Sequence, residues 1–231
     1  MSQVRRYFLM GSYNHKIDNS DAALPLGKIV CVGRNFAEHV RELENKILDE
    51  PILFLKPSTS LSSFSEQITI YKSCGACHFE TELSLLIGKK LTGCSKREAV
   101  NAIAGIGLSL DLTYRDLQTE LKSQGLPWEK AKAFDNACPT STFISANKFY
   151  DLDNISFKMH KNGQIQQSAN TSNMIWKITE LICYASKFFT FLPGDIFLTG
   201  TPSGVGALQN NDTLLAEIPG FLDVSTTVAV K

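Results

Sequence analysis

The chain has 231 residues, 43% of them hydrophobic and 20% charged, which is enough for one substantial core and predicts a single catalytic domain. Its 23 basic and 23 acidic residues cancel, so we expect no nucleic-acid partner, because such binding needs a basic surplus that displaces counterions. No apolar run reaches the ~18 residues of a membrane span, and the N-terminus lacks the apolar core of a secretory signal; we therefore expect no membrane partner and a cytoplasmic location.

Short strand-like segments dominate the chain and helical patterns are few. Strand patterns lie at 28–33 and 51–56, on either side of a helical pattern at 35–47 that opens with Asn35. A strand at 82–88, a helix at 95–103 and strands at 104–113 and 141–146 follow. The Asn162-Gly163 pair predicts a β-hairpin, and a helix at 171–189 and a strand at 194–200 complete the pattern. Because helices and strands do not alternate regularly, we predict an α+β fold with a mixed β-sheet.

The six cysteines stand mostly beside apolar residues, and we interpret them as small buried hydrophobes in a reducing compartment. One segment, Cys74-Gly75-Ala76-Cys77-His78, matches the C-x-x-C-H pattern of covalent haem attachment. That chemistry requires export, and a zinc site would need a second ligand pair. We favour an incidental pair on a loop.

Three acidic residues form the most informative pattern. Glu80 and Glu82 are two residues apart at the start of a strand, so their side chains point to one face. Asp111 follows an apolar strand further along the chain. An oxygen-only set of this kind suits Mg²⁺ or Mn²⁺ rather than zinc. Spacing alone leaves a second interpretation open, in which the glutamates lie on the wet face of an edge strand.

Six long motifs then occur in a fixed order: GKIVCVGRNFAEHV, EPILFLKPSTSL, HFETELSLLIGK, LDLTYRDLQ, GLPWEKAKAFDNACP and GDIFLTGTPSGVG. This order resembles the fumarylacetoacetate hydrolase superfamily, in particular its small acylpyruvase and oxaloacetate decarboxylase branch. The resemblance implies a rolled mixed β-sheet, a homodimer and a catalytic domain over 24–231 behind an N-terminal extension over 1–23. It also implies Mg²⁺, with Mn²⁺ as the alternative, bound by Glu80, Glu82 and Asp111.

The resemblance further assigns roles to single residues. It makes Lys132 the catalytic lysine, and we expect its proton to be loosely held near a cation. His39 and Glu42 share one helix face at i, i+3 and resemble a lid-borne dyad that activates water. Arg34, Gln118 and Thr201 resemble residues that contact the substrate.

The function expected from the sequence is Mg²⁺-dependent cleavage of a C–C bond in acylpyruvates, giving pyruvate and a carboxylic acid. The partner would be a small 2-oxo acid. Oxaloacetate decarboxylation and oxaloacetate keto–enol tautomerisation are the alternatives at the same site, because all three reactions pass through a stabilised enolate. A metal-binding protein without catalytic activity is a remote further alternative.

Overall fold

The computed structural model describes residues 13–43 and 48–231, which form eighteen β-strands and five α-helices. The strands are β1 (Lys16–Ile17), β2 (Ser20–Asp21), β3 (Ile29–Gly33), β4 (Ile52–Lys56), β5 (Leu61–Ser63), β6 (Ile68–Ile70), β7 (Cys77–Phe79), β8 (Thr81–Ile87), β9 (Ile103–Leu110), β10 (Thr113–Tyr114), β11 (Cys138–Thr140), β12 (Ile144–Ser145), β13 (Ser156–Lys161), β14 (Gln164–Asn170), β15 (Ile196–Leu198), β16 (Gly206–Ala207), β17 (Thr213–Ile218) and β18 (Leu222–Val230). The helices are α1 (Ala37–Glu42), α2 (Lys96–Ala102), α3 (Arg115–Ser123), α4 (Glu129–Lys132) and α5 (Ile178–Ala185).

An eight-stranded mixed sheet runs through the centre of the molecule. Its strand order is β4-β3-β15-β8-β9-β11-β5, with β12 also beside β9. The pairs β3–β15 and β5–β11 are parallel, whereas β8 pairs antiparallel with both β15 and β9. Strand β8 is buried along its whole length, which is typical of a strand covered on both faces. The α+β class with mixed sheet and few helices is thereby confirmed.

A five-stranded sheet in the order β14-β13-β17-β18-β6 and a small sheet β10-β7-β16 complete the fold. The predicted hairpin is confirmed as β13–β14, and Asn162 and Gly163 both take positive φ angles, 52° and 78°, as a tight two-residue hairpin turn requires. Side chains from the large sheets and from α2 and α5 pack into one extended apolar core. No helix in the described part of the chain is long and apolar enough to cross a bilayer.

The two long helical patterns were predicted too long. Asn35 does not cap α1; its side-chain amide donates to the carbonyls of Trp176 and Thr199, and its Oδ1 accepts from the Trp176 N–H. These bonds hold the chain before α5 in an extended form, and α5 therefore begins only at Ile178. Residues 44–47, the end of the first helical pattern, lie outside the described residues.

The burial predicted for the cysteines is confirmed for three of them. Cys31, Cys77 and Cys138 are buried, Cys74 is exposed, and Cys94 and Cys183 are partly exposed. The proposed domain boundary at residue 23 stays a prediction, although β1 of the N-terminal segment already bridges to Phe143 of the main body.

Candidate active site

The pairing of β8 with β9 brings the three acidic residues together. Glu82 lies in β8 opposite Ser109 of β9, Glu80 lies directly before β8, and the Asp111 N–H donates to the Glu80 carbonyl at 2.8 Å. One carboxylate oxygen from each residue lies within 4.8 Å of the others, and all three side chains are buried. We call Glu80, Glu82 and Asp111 the carboxylate triad. The interpretation of an exposed edge strand is wrong, because β8 lies inside the central sheet.

The surroundings of Glu82 fit a metal ion. Its carboxylate accepts the Gly200 N–H at 2.6 Å, and among the described residues it forms no ion pair. Burial, together with the charges of Asp111 and Glu80, raises the pKa of Glu82 well above its usual range. A divalent cation would remove this cost, and an all-oxygen donor set favours Mg²⁺ or Mn²⁺ over zinc. The ligand role of the triad stays a prediction.

Lys132, at the end of α4, reaches into the triad. Its Nζ donates to Glu80 Oε2 at 2.7 Å and to Asp111 Oδ2 at 2.6 Å. Burial favours the neutral amine, but the two carboxylates outweigh it and raise the pKa of Lys132 above its ordinary value. The expectation that Lys132 holds its proton loosely beside a bound cation stays a prediction. The same contact lowers the pKa of Glu80 despite its burial, with help from Arg115.

Two further cations were missed by the sequence analysis. Lys56 is completely buried at the end of β4; its Nζ lies 2.8 Å from Asp111 Oδ1 and donates to the carbonyls of Lys132, Ala137 (3.1 Å) and Leu112 (3.4 Å). Arg115 donates to Glu80 Oε1. A lysine that ends an apolar strand looks in sequence like an exposed strand end, and only the long-range packing shows its partners.

A cavity of about 130 Å³ opens beside the triad. Eight of the nine predicted site residues line it: Arg34, His39, Glu80, Glu82, Asp111, Gln118, Lys132 and Thr201. The ninth, Glu42, contacts His39, with 3.0 Å between His39 Nδ1 and Glu42 Oε2. Glu42 Oε1 accepts the Gly204 N–H at 2.9 Å. The structure thus brings together all nine residues that were singled out.

The three predicted substrate contacts differ in their present hydrogen bonds and backbone conformation. Gln118 lines the cavity, and its Oε1 accepts from Arg115 at 2.7 Å. The Thr201 hydroxyl donates to the Thr81 carbonyl and accepts from Gln167, so it could donate to a substrate oxygen only by giving up its bond to the Thr81 carbonyl. Arg34 has a φ of 64°, a left-handed conformation that costs energy and is concentrated at functional sites. All three roles stay predictions.

The cavity wall depends on a close approach of two loops. Strands β3 and β15 are parallel neighbours, so the loops after them, which carry Arg34 and Gly200, emerge at one sheet edge. Gly200 has a φ of 95°, and a Cβ there would lie 2.7 Å from the Asn35 Cβ. Only glycine lets this loop approach Asn35 and present its N–H to Glu82.

Comparison with known proteins identifies relatives along almost the whole chain. Residues 28–229 match the family described as fumarylacetoacetate (FAA) hydrolase C-terminal. The oxaloacetate tautomerase YcgM of Escherichia coli strain K12 is 47% identical over 197 residues, which cover 85% of this chain and 90% of that protein. A crystal structure of a fumarylacetoacetate hydrolase family protein from Yersinia pestis CO92 superposes with a TM-score of 0.91 at 44% identity, covering 94% of this chain and all of that one. A fumarylpyruvate hydrolase from Pseudomonas aeruginosa, solved with Mn²⁺ and pyruvate, gives a TM-score of 0.89 at 31% identity, over 95% of this chain and 96% of the other.

Proposed function

The chain belongs to the fumarylacetoacetate hydrolase family, and on that premise we propose that it interconverts the enol and keto forms of oxaloacetate with a divalent cation bound to the carboxylate triad. The observation that carries the proposal is the charge pattern of the cavity. The buried acidic triad shares its cavity with three less buried cationic side chains, those of Arg34, Arg115 and Lys122, which we call the mouth; Arg115 is also paired with Glu80. This pattern suits a substrate with one carboxylate near the cation and a second at the mouth.

The cationic side chains of the mouth lie close enough to influence one another. Partial burial of Lys122 and the charges of Arg34 and Arg115 together lower the pKa of the Lys122 ammonium. A substrate carboxylate at the mouth would interact favourably with these charges. Oxaloacetate carries a second carboxylate at the end far from its keto acid group, whereas acetylpyruvate carries an uncharged acetyl group there. The similarity to a relative named as an oxaloacetate tautomerase supports the same choice and reverses the order expected from the sequence.

The triad would hold the divalent ion, which when bound supplies Lewis-acid polarisation of a substrate oxygen. The remaining chemistry falls to the side chains of this chain. Lys132 and Arg115 neutralise negative charge on Glu80, and Lys56 does so on Asp111. Because Glu42 accepts the hydrogen on His39 Nδ1, we assign the lone pair to Nε2. His39 Nε2 is then our candidate for moving the proton between C3 and the substrate oxygen.

The test follows enol absorbance in the ultraviolet with purified protein stripped by EDTA and then supplied with Mg²⁺ or Mn²⁺. We expect metal-dependent acceleration that falls at least about 100-fold in Glu82→Gln and in His39→Gln, as is typical of a lost ligand or a lost acid–base group. The matched control is Glu66→Gln, the same chemical change at an exposed carboxylate away from the cavity. Equal rates with and without metal would contradict the proposal.

Acylpyruvate hydrolysis is the second candidate, and the His39–Glu42 pair favours it. An imidazole whose Nδ1 is held by a carboxylate is the usual arrangement for activating water, which tautomerisation does not need. The measurement is Mg²⁺-dependent release of pyruvate from acetylpyruvate. Release that disappears in His39→Gln supports hydrolysis, and its absence in the wild type excludes it. Oxaloacetate decarboxylation, which needs no attacking water, would release pyruvate from oxaloacetate and survive in His39→Gln.

We further infer that Mg²⁺ is the ion used in the cell and that the protein is a cytoplasmic homodimer. The oxygen-only triad supports Mg²⁺, although a structure solved with Mn²⁺ among the relatives keeps that ion an alternative. The homodimer rests on the family resemblance. Light scattering coupled to gel filtration measures the mass directly, and a value near the 25.5 kDa of one chain would contradict it.

A further inference from the structure

Two cysteines meet on the side of α5, on a part of the molecule that does not line the catalytic cavity. Cys94 lies in the loop that leads from β8 to α2, and Cys183 lies within α5, 89 positions further along the chain. Both side chains are partly exposed and pack against the same apolar core. They are therefore reachable from solvent, unlike Cys31, Cys77 and Cys138.

The two cysteines are linked through the hydroxyl of Ser186, one helical turn after Cys183. Ser186 Oγ accepts the Cys94 N–H at 3.0 Å, lies 3.4 Å from Cys94 Sγ and donates to the Cys183 carbonyl at 2.9 Å. Ser186 therefore ties the Cys94 side chain to the turn of α5 that carries Cys183. An ion pair between Lys96 and Glu180, with 2.8 Å between Nζ and Oε1, joins the start of α2 to α5 beside them.

We propose that Cys94 and Cys183 form a reversible disulfide that links the loop before α2 to α5. Cysteines that one hydroxyl already holds as neighbours need little backbone movement to bond, and partial exposure admits a disulfide or peroxide oxidant. The Cys74/Cys77 pair noted in the sequence differs, because Cys74 is exposed whereas Cys77 is buried in β7, where burial raises the pKa of its thiol to about 12. The inference does not depend on the proposed activity.

The chemistry balances with glutathione disulfide as oxidant. The Cys94 thiolate attacks one glutathione sulfur, forming a mixed disulfide and releasing one glutathione thiolate. Cys183 then gives its proton to solvent and its sulfur attacks Cys94 Sγ, expelling the second glutathione. Two protein thiols are oxidised and one disulfide is reduced to two thiols. Burial and the adjacent Cys94 side chain raise the pKa of Cys183 to about 11, which slows thiolate formation at Cys183.

The experiment treats the folded full chain with glutathione disulfide, blocks the remaining thiols by alkylation and maps disulfide-linked peptides by mass spectrometry. We expect one linked peptide joining Cys94 to Cys183 and full recovery of the six thiols with dithiothreitol. Cys74→Ser, which removes an exposed thiol outside the pair, should behave like the wild type. Cys94→Ser and Cys183→Ser should each form no internal link.

A second measurement keeps the test decisive if a serine variant folds poorly. In wild-type protein the link should close at least about tenfold faster in native buffer than in urea, where the sulfurs must first meet across an open loop. Six free thiols after oxidation, a link between any other pair, glutathione adducts at Cys94 or Cys183 that never close, or equal rates in buffer and urea would each overturn the inference.

Discussion

Replacing the buried Lys56 with methionine tests whether its ammonium stabilises the triad. Methionine is apolar and of similar length, so the change removes the charge and leaves most of the volume filled. The ion pair with Asp111 at 2.8 Å is lost, along with donors to the carbonyls of Ala137 and Leu112. Removing one partner of a buried ion pair typically costs about 3–5 kcal/mol, because the other charge stays buried. We expect Lys56→Met to lower the free energy of unfolding by that amount.

The loss is measurable as a shift in Tm. Unfolding entropy scales with length, and for 231 residues it corresponds to about 0.5 kcal/mol per degree, so Tm should fall by about 6–10 °C in EDTA. Saturating Mg²⁺ should narrow the gap, because a bound cation takes over part of the missing charge. The control is Lys130→Met, the same change at an exposed lysine on α4, which should shift Tm by about 1 °C or less. A Lys56→Met protein that melts with the wild type would refute the reasoning.

Three further predictions follow from single contacts. Gly200→Ala places a Cβ 2.7 Å from the Asn35 Cβ at a φ of 95°, and should lower the free energy of unfolding in urea by about 2–4 kcal/mol. The control Gly93→Ala, whose added Cβ meets no atom within 4 Å, should lower it by no more than about 1 kcal/mol. Lys122→Met at the cavity mouth should raise KM for oxaloacetate several-fold with little change in kcat. An unchanged KM would mean that Lys122 does not contribute to substrate binding. Burial lowers the pKa of His15, so below the unfolded value of about 6.5 the unfolded chain binds a proton that the folded chain does not. The free energy of unfolding should therefore fall as pH drops through that value, by at most about 1.4 kcal/mol per pH unit. His15→Gln should lack this part of the loss in urea titrations at pH 5 to 8.

Local pattern predicted the parts of this fold that depend on neighbours in sequence. The two-residue period of a strand placed Glu80 and Glu82 on one face, and Ser95 caps α2 through Glu98, as the helix predicted at 95–103 requires. The start of α5 could not be predicted, since Asn35 holds Trp176 from 141 positions away. Motif order, rather than spacing, pointed to Asp111 as the third member of the triad.

The charges that surround the triad were the least predictable part of the site, because each comes from a different element. Lys56 from β4, Arg115 from α3 and Lys132 from α4 contact Glu80 and Asp111, whereas Glu82 has no cationic partner among the described residues. With all three carboxylates ionised, as cation binding requires, the formal charges of the three cations and the three carboxylates sum to zero.

The formal charge of this cluster also affects the binding of metal and substrate. A divalent ion leaves the cluster with two excess positive charges, and a dianionic 2-oxo acid restores neutrality. Metal and substrate should therefore bind cooperatively, each tightening the other by the same factor, as linkage requires. Calorimetric titration of Mg²⁺ into the protein, with and without oxalate as a stable dianion, measures that factor. Equal Mg²⁺ affinity in both titrations would mean that the three cations, rather than the ligand, already set the charge of the site.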